Sequence, residues 1–296
     1  MVDLVIVGSV AFDSIETPFG SVKDVLGGSA THASLAASFF VKPGIVAVVG
    51  DDFDHHDVFH SRNISTEGLK TAKGRTFRWS GYYEYDMNQA HTVQTQLNVF
   101  ENFFPEVPDN YKKAKYLFLA NIDPELQLHI LKQMKNPIVI IDTMNYWIEK
   151  NRDQLMDIVE KSNVFLLNDS EAREFFNTSN IITAGRKILE LGVDAVVIKK
   201  GEHGALLFTK DRLFPLPGYP LENVRDPTGA GDSFAGAFSG YLAKNGFNTE
   251  NICKAVVYGS AVASFNVEDF SFNNLNKITM NDIEARYKKF RDMITF

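Results

Sequence analysis

Short apolar, β-branched runs recur along the chain at Leu4 to Val7, Ile45 to Val49, Tyr116 to Leu119, Ile138 to Ile141, Val164 to Leu167 and Ala195 to Ile198. They lack the polar alternation of a sheet with one wet face, so they predict strands covered on both sides. Between them lie stretches with helical spacing, among them Ser29 to Phe40, Glu125 to Lys135 and Thr183 to Leu191. Strand alternating with helix predicts right-handed βαβ units and therefore an α/β fold: a three-layer α/β/α, doubly wound, mostly parallel sheet. Beyond residue 230 the pattern is helical: Ala230 to Lys244, Glu250 to Phe265 and Asp282 to Met293, the last with Thr279 as its cap.

Two segments break this rhythm. Residues 12–27 are short and turn-rich, and residues 71–100 set Phe77, Trp79, Tyr82, Tyr83 and Tyr85 among Thr, Gln and Asn without a helical stripe. Aromatic residues alternating with polar ones suit strands with one covered face. They read as a small β-sheet lid over the acceptor site, an ordinary surface hairpin being the alternative. The expected division is a core of 1–11, 28–70 and 101–296, with 12–27 and 71–100 as the lid. No internal repeat, low-complexity tract or linker interrupts it.

Composition narrows the partners. The 296 residues are 45% hydrophobic, enough for a sizeable core, and 30 basic against 37 acidic side chains leave a net charge of −7. No basic run is present to neutralise a series of phosphates, which argues against nucleic acid. An anionic ligand must then be attracted locally, by backbone N–H groups, a few Lys or Arg, and a metal ion. Cys253 is the single cysteine, so no intramolecular disulfide forms and its ordinary role is a small core residue. The apolar start is too short to span a membrane and lacks the basic beginning of a signal peptide, so the expectation is cytoplasmic, with no membrane partner.

The chemistry concentrates in Asp226-Pro227-Thr228-Gly229-Ala230-Gly231-Asp232-Ser233-Phe234. Two glycines let the backbone turn tightly just before a helical run, and amides at a helix start carry partial positive charge that suits a phosphoryl group. Asp232 within that nest is able to take the proton of an attacking hydroxyl. A glycine turn with a capping Asp is the bland alternative.

The nine-residue string resembles the signature of the ribokinase, or PfkB, family of carbohydrate and nucleoside kinases. Gly27-Gly28-Ser29-Ala30 resembles that family's N-terminal di-glycine motif, Gly50-Asp51-Asp52-Phe53 its next turn, Asn168-Asp169-Ser170-Glu171 its Asn-x-x-Glu motif, and Lys199-Lys200-Gly201-Glu202-His203-Gly204-Ala205 its glycine turn near the nucleotide. The matches come in the family's order over essentially the whole chain. The resemblance implies a ribokinase-like fold and an ATP-dependent kinase that moves the γ-phosphoryl group to a primary hydroxyl of a sugar or nucleoside. Asp232 becomes the base, and the amides of Gly229, Ala230 and Gly231 the anion hole. Asn168 and Glu171 would organise Mg²⁺ and the phosphates, Glu171 through water. Lys199, Gly201, Gly204 and Asn266 would face the nucleotide, and Asp226 and Thr228 a monovalent cation such as K⁺. A capped helix start at Asp169 or Ser170 is compatible with the Mg²⁺ role.

On the acceptor side, the resemblance makes Asp13, Gly27, Gly28 and His32 the substrate contacts. Asp13 is suited to two vicinal hydroxyls. His32 departs from the Asn that sugar-phosphorylating relatives often carry, which leaves the acceptor open between sugar and nucleoside. The aromatic residues of 71–100 suit a flat base, or packing of the lid on itself or on a second copy in a homodimer. His56-Asp57-Val58-Phe59-His60 matches a zinc pattern only in its histidines, Gly8 lacks the further glycines of a dinucleotide fold, and no P-loop is present. An inactive nucleotide- or metabolite-binding regulator on the same fold is the reading from a different class.

Overall fold

In the first strand, β1 (Leu4–Val7), every side chain is buried, and alternate residues serve opposite faces. Leu4 and Ile6 join an apolar cluster with the helices Ser29–Ala37, Ala230–Asn245 and Thr249–Asn266. Val5 and Val7 join another with the helices Pro124–Leu131, Arg152–Val159, Asp169–Phe175 and Ile181–Leu189. A period of two on a sheet covered twice yields three layers.

The computed structural model describes residues 2–295; Met1 and Phe296, the outermost residues of the expected core, lie outside the described residues. After β1 come β2 (Ala11–Thr17), β3 (Gly20–Gly27), β4 (Pro43–Val49), β5 (Ser65–Thr71), β6 (Phe77–Tyr83), β7 (Ala90–Gln96), β8 (Tyr116–Leu119), β9 (Ile138–Ile141), β10 (Val164–Asn168), β11 (Ala195–Lys199), β12 (Ala205–Thr209) and β13 (Arg212–Leu216). Nine form one sheet, in the order β13-β12-β11-β10-β9-β8-β1-β4-β5. It is parallel from β5 to β11, and β12 and β13 are added antiparallel at one edge. The order reverses between β1 and β8, and a crevice at the carboxyl ends of such a pair is where open α/β sheets bind ligands.

The predicted strands all occur. The hydrophobic pattern did not disclose β5, β12 and β13. Edge strands β5 and β13 have one partner each and only part of their side chains covered, so Ser-Thr-Glu-Gly-Leu-Lys-Thr carries little apolar signal, and Pro215 is tolerated at the edge. A second sheet, ordered β3-β2-β6-β7, takes residues 11–27 and 77–96, with β2 and β6 parallel and the outer pairs antiparallel.

One helical seam sets the geometry of the candidate site. A Cβ on Gly236 would stand 2.0 Å from the Ala33 carbonyl oxygen, and one on Gly240 3.0 Å from Ala37 Cα. The helices Ser29–Ala37 and Ala230–Asn245 therefore touch backbone to backbone, which brings their N-termini, Gly28 and Gly229, into one neighbourhood.

Candidate active site

The loop 226–232 is held from below. Asp226, fully buried, accepts the N–H of Thr228 at 2.9 Å on one oxygen and of Ser271 at 3.0 Å on the other. Asn266, also fully buried, donates from Nδ2 to the Thr228 carbonyl at 2.9 Å, and its Oδ1 accepts from Ser233 Oγ at 3.1 Å. That oxygen also faces His32 Nδ1 at 3.3 Å, so the hydrogen-bond network assigns the proton to Nδ1. Burial holds His32 down at about 4 despite the Asn266 bond, so its ring is neutral. Gly229 adopts φ 73°, and a Cβ there would strike the His32 ring at 2.4 Å. His32 and Asn266 are thus the floor of the loop, packed under it rather than lining an open cleft.

Above that floor the helix Ala230–Asn245 begins. Ala230 gives its N–H to the Pro227 carbonyl at 3.1 Å, whereas the amides of Gly229, Gly231 and Asp232 have no acceptor among the described residues. The first turn of a helix leaves such donors free. Asp232 is half-buried in that turn, and burial, followed by the Asp142 carboxylate, pushes it up to about 7 against the opposing pull of Lys199. Lys199, the last residue of β11, donates to both oxygens of Asp142 at 2.9 and 3.2 Å. Burial works against its charge, but Asp142 and Glu171 outweigh that and raise it.

Beside this pair Asn168 caps the helix Asp169–Phe175. Its side chain accepts the Glu171 N–H at 2.8 Å while Glu171 Oε2 accepts the Asn168 N–H at 2.6 Å, the reciprocal arrangement of a capping box. Glu171 is raised by burial and by the Asp142 carboxylate. Gly201 and Gly204 bracket a single 3₁₀ turn after β11, closed by Lys200 N–H to the Gly204 carbonyl at 2.8 Å. Asn88, between β6 and β7, lies against Gly201 and reaches Glu202 at 3.4 Å, so the second sheet's hairpin touches this turn.

Asp13 stands on β2. Burial, partly offset by the Gly28 N–H it accepts, pushes it up to about 7, with Asp226 and Asp232 adding to the rise. Its carboxylate occupies the space a side chain at Gly27 would need. Gly28 turns at φ 92°, where a Cβ would be 2.6 Å from the Ser9 carbonyl oxygen. The turn is clamped to the end of β1 by reciprocal N–H to Oγ bonds between Ser9 and Ser29, both 3.1 Å. Trp79 is the register partner of Asp13 across the parallel β2–β6 pair, so both point to the same face. Tyr83, four residues on, accepts from Thr228 Oγ1 at 3.2 Å, joining the second sheet to the loop. Burial pushes the Tyr83 phenol up to about 12.

The structure therefore gathers Asp13, Gly27, Gly28, Asp226, Thr228, Gly229, Ala230, Gly231, Asp232, Lys199 and, beneath them, His32 and Asn266. Asn168 and Glu171 stand with Lys199 at neighbouring strand ends, and Gly201 and Gly204 under the Asn88 hairpin. Sequence reasoning missed Asp142 and Ser271. Asp142 did carry a signal, an acidic residue directly after the apolar run Ile138 to Ile141 at the carboxyl end of a strand; Ser271 carried none, because its contact lies 45 residues away.

The donor set also tests the expected ions. Among the described residues no three His, Cys, Asp or Glu side chains converge to hold a metal directly. Glu171 spends one oxygen on the capping box, so its remaining oxygen suits a hydrated Mg²⁺ better than direct coordination of the ion. Asp226 and Thr228 already hold the loop's shape by their own bonds. No helix of the described residues is long and apolar enough to cross a membrane.

Residues 1–278 match the pfkB family of carbohydrate kinases. A cytidine kinase of Thermococcus kodakarensis is 31% identical over 248 residues, which cover 81% of this chain and 89% of that protein. Among solved structures, the nucleoside kinase of Methanocaldococcus jannaschii, a ribokinase-family member, superposes with a TM-score of 0.78 at 23% identity, covering 97% of this chain and 99% of that one. A nucleoside kinase of Burkholderia thailandensis, in complex with ADP-inosine, superposes with a TM-score of 0.77 at 19% identity, covering 97% and 95%. At these identities the two superpositions establish a shared fold.

Proposed function

The chain belongs to the pfkB family of carbohydrate kinases and is a sugar or nucleoside kinase, and from that premise we propose that it transfers the γ-phosphoryl group of ATP to a primary hydroxyl, with a nucleoside as preferred acceptor. The observation that carries the reading is the raised, half-buried Asp232 in the same helix turn as the unpaired amides of Gly229 and Gly231. A base poised near neutrality beside an anion nest is what transfer to an alcohol requires.

In this reaction the acceptor hydroxyl gives its proton to Asp232 while its oxygen bonds the γ-phosphorus. The bond from that phosphorus to the bridging oxygen breaks, and its electron pair leaves on ADP. Charge on the three phosphoryl oxygens meets the helix amides. Asp13 accepts hydrogen bonds from the acceptor's other hydroxyls at the Gly27-Gly28 turn. The turn Gly201–Gly204 and Lys199 receive the nucleotide, and Glu171 and Asn168 would hold Mg²⁺ through its waters, where the ion would neutralise phosphate charge. The second sheet acts as the lid, tied down by Tyr83 and Asn88. Support for a nucleoside comes from Trp79 beside Asp13, which offers a flat face to a base, and from the cytidine kinase relative. The exposed Val93 and Tyr82 suit pairing of two copies through this sheet, and a monomer in sedimentation at micromolar concentration would remove that part of the proposal.

A coupled ADP-release screen over nucleosides, pentoses and hexoses identifies the acceptor. With it in hand, Asp232→Asn lowers kcat by roughly 10²–10⁴-fold while ATP binding persists. Near-normal turnover in that variant removes Asp232 as the base, and ATP binding without ADP formation across the whole panel replaces the kinase reading with that of an inactive regulator.

A further inference from the structure

Lys199 and Asp142 form an ion pair in an unusual place. Strands β9, β10 and β11 are neighbours, and Lys199 reaches from the end of β11 to Asp142, one residue past β9, across the end of β10. The ammonium also lies 3.3 Å from the point a Cβ on Gly231 would occupy, beside the first turn of the helix Ala230–Asn245. We propose that Lys199 is a catalytic cation that meets the transferring phosphoryl group at the Gly231 side of the nest, and that Asp142 is the positioning residue that aims it.

The proposal rests on the phosphoryl-transfer reading above and is carried by four observations. An ammonium has three donors, and the two hydrogen bonds it makes among the described residues both go to Asp142, so one donor is left to point elsewhere. The Lys199 side chain is 17% exposed and that of Asp142 6%, so the pair opens on the lysine side. The strands do not need the pair, since β10 already hydrogen-bonds to both β9 and β11, and buried ion pairs of this kind seldom add stability over apolar replacements. Finally, Lys199 is the cation that faces Asp142, Glu171 and Asp232 together. A phosphoryl group entering among three carboxylates is repelled unless that ammonium turns to it. During transfer Lys199 keeps its proton and donates a hydrogen bond to a phosphoryl oxygen, while the acceptor's proton goes to Asp232. Asp142 meanwhile keeps the ammonium from pairing with Asp232, which would weaken the base.

The test compares Lys199→Met, Lys199→Arg and Asp142→Asn with the unaltered enzyme by kcat, KM for ATP, KM for the acceptor and thermal midpoint. Lys199→Met is expected to lower kcat by about 10²–10³-fold, the usual scale for one donor to a developing oxyanion, with acceptor KM unchanged. Lys199→Arg restores at least part of kcat. Asp142→Asn lowers kcat with little change in acceptor KM, and the Asp142→Asn/Lys199→Met double variant is no slower than Lys199→Met alone, because the aspartate acts through the lysine. A kcat within about threefold of the unaltered enzyme in Lys199→Met, or additive losses in the double variant, overturns the proposal. Should Lys199→Met fail to fold, unchanged kcat in both the uncharged Lys199→Gln and Asp142→Asn overturns it equally. Absence of turnover in the unaltered enzyme sinks the phosphoryl-transfer reading itself, whereas normal turnover with an indifferent Lys199 sinks only this role.

Discussion

Asp13, Asp226 and Asp232 share one neighbourhood, and burial pushes each above the ordinary carboxylate range. Asp13 and Asp232 both come to about 7, and both act as carboxylates in the proposed reaction, so activity has to depend on pH in a defined direction. The expected kcat/KM for the acceptor rises with pH up to about 7 and levels off above it, with an acid limb steeper than one ionisation produces. Asp13→Asn reduces that limb to a single ionisation at lower activity. A flat profile between about pH 5 and 8 would remove both carboxylates from the mechanism. His32, held down near 4 by burial, contributes no charge across this range. Its importance at this scale is steric: the ring fills the space under Gly229, and the sequence, which reveals a histidine near a di-glycine turn, holds no sign of which way it faces.

At the scale of elements, the site is an encounter of two helix starts. The motifs around Gly28 and Gly229 are far apart in the chain and meet because Gly236 lies directly against Ala33. Gly236→Val is expected to wedge the two helices apart. Overpacking of this kind costs about 1–3 kcal/mol, so the thermal midpoint falls by several degrees and kcat falls with it, readable together by calorimetry and ADP release. An unchanged midpoint would show that the seam has slack. Burial at the same scale accounts for two of the three strands absent from the hydrophobic pattern, β5 and β13, although not for β12, which is fully buried. The strands β8, β9, β10 and β11 were legible because two covering layers force their residues to be apolar up to the terminal Asn168 and Lys199, whereas β5 and β13, covered less and paired on one side, carry no such requirement. The second sheet was legible through its aromatic residues, but the Tyr83–Thr228 bond joins residues 145 apart and depends on how that sheet is hung from the core.

For the whole molecule, the buried carboxylates tie activity to instability. The Asp13 carboxyl is raised from an ordinary 3.8 to about 7, so between those values the folded chain binds more protons than the unfolded one. Stability therefore falls as pH rises through that window and stays lower above it. Asp13→Asn, whose amide oxygen still accepts the Gly28 N–H, is expected to melt higher than the unaltered protein at about pH 8, with the advantage shrinking as pH approaches about 4. Thermal melts at several pH values read this directly, and a constant difference between the two proteins would contradict it. By itself the sequence determined the layered fold, because apolar runs between helices are local requirements written in adjacent residues, and its ordered motifs carried the resemblance to the pfkB family that implied a kinase. Only the tertiary structure decided that His32 and Asn266 lie beneath the loop, that Tyr83 ties the second sheet to it, and that Asp142 holds Lys199 against Gly231. Each of those is a contact between distant positions, fixed by helix packing and strand order and not by the spacing of residues along the chain.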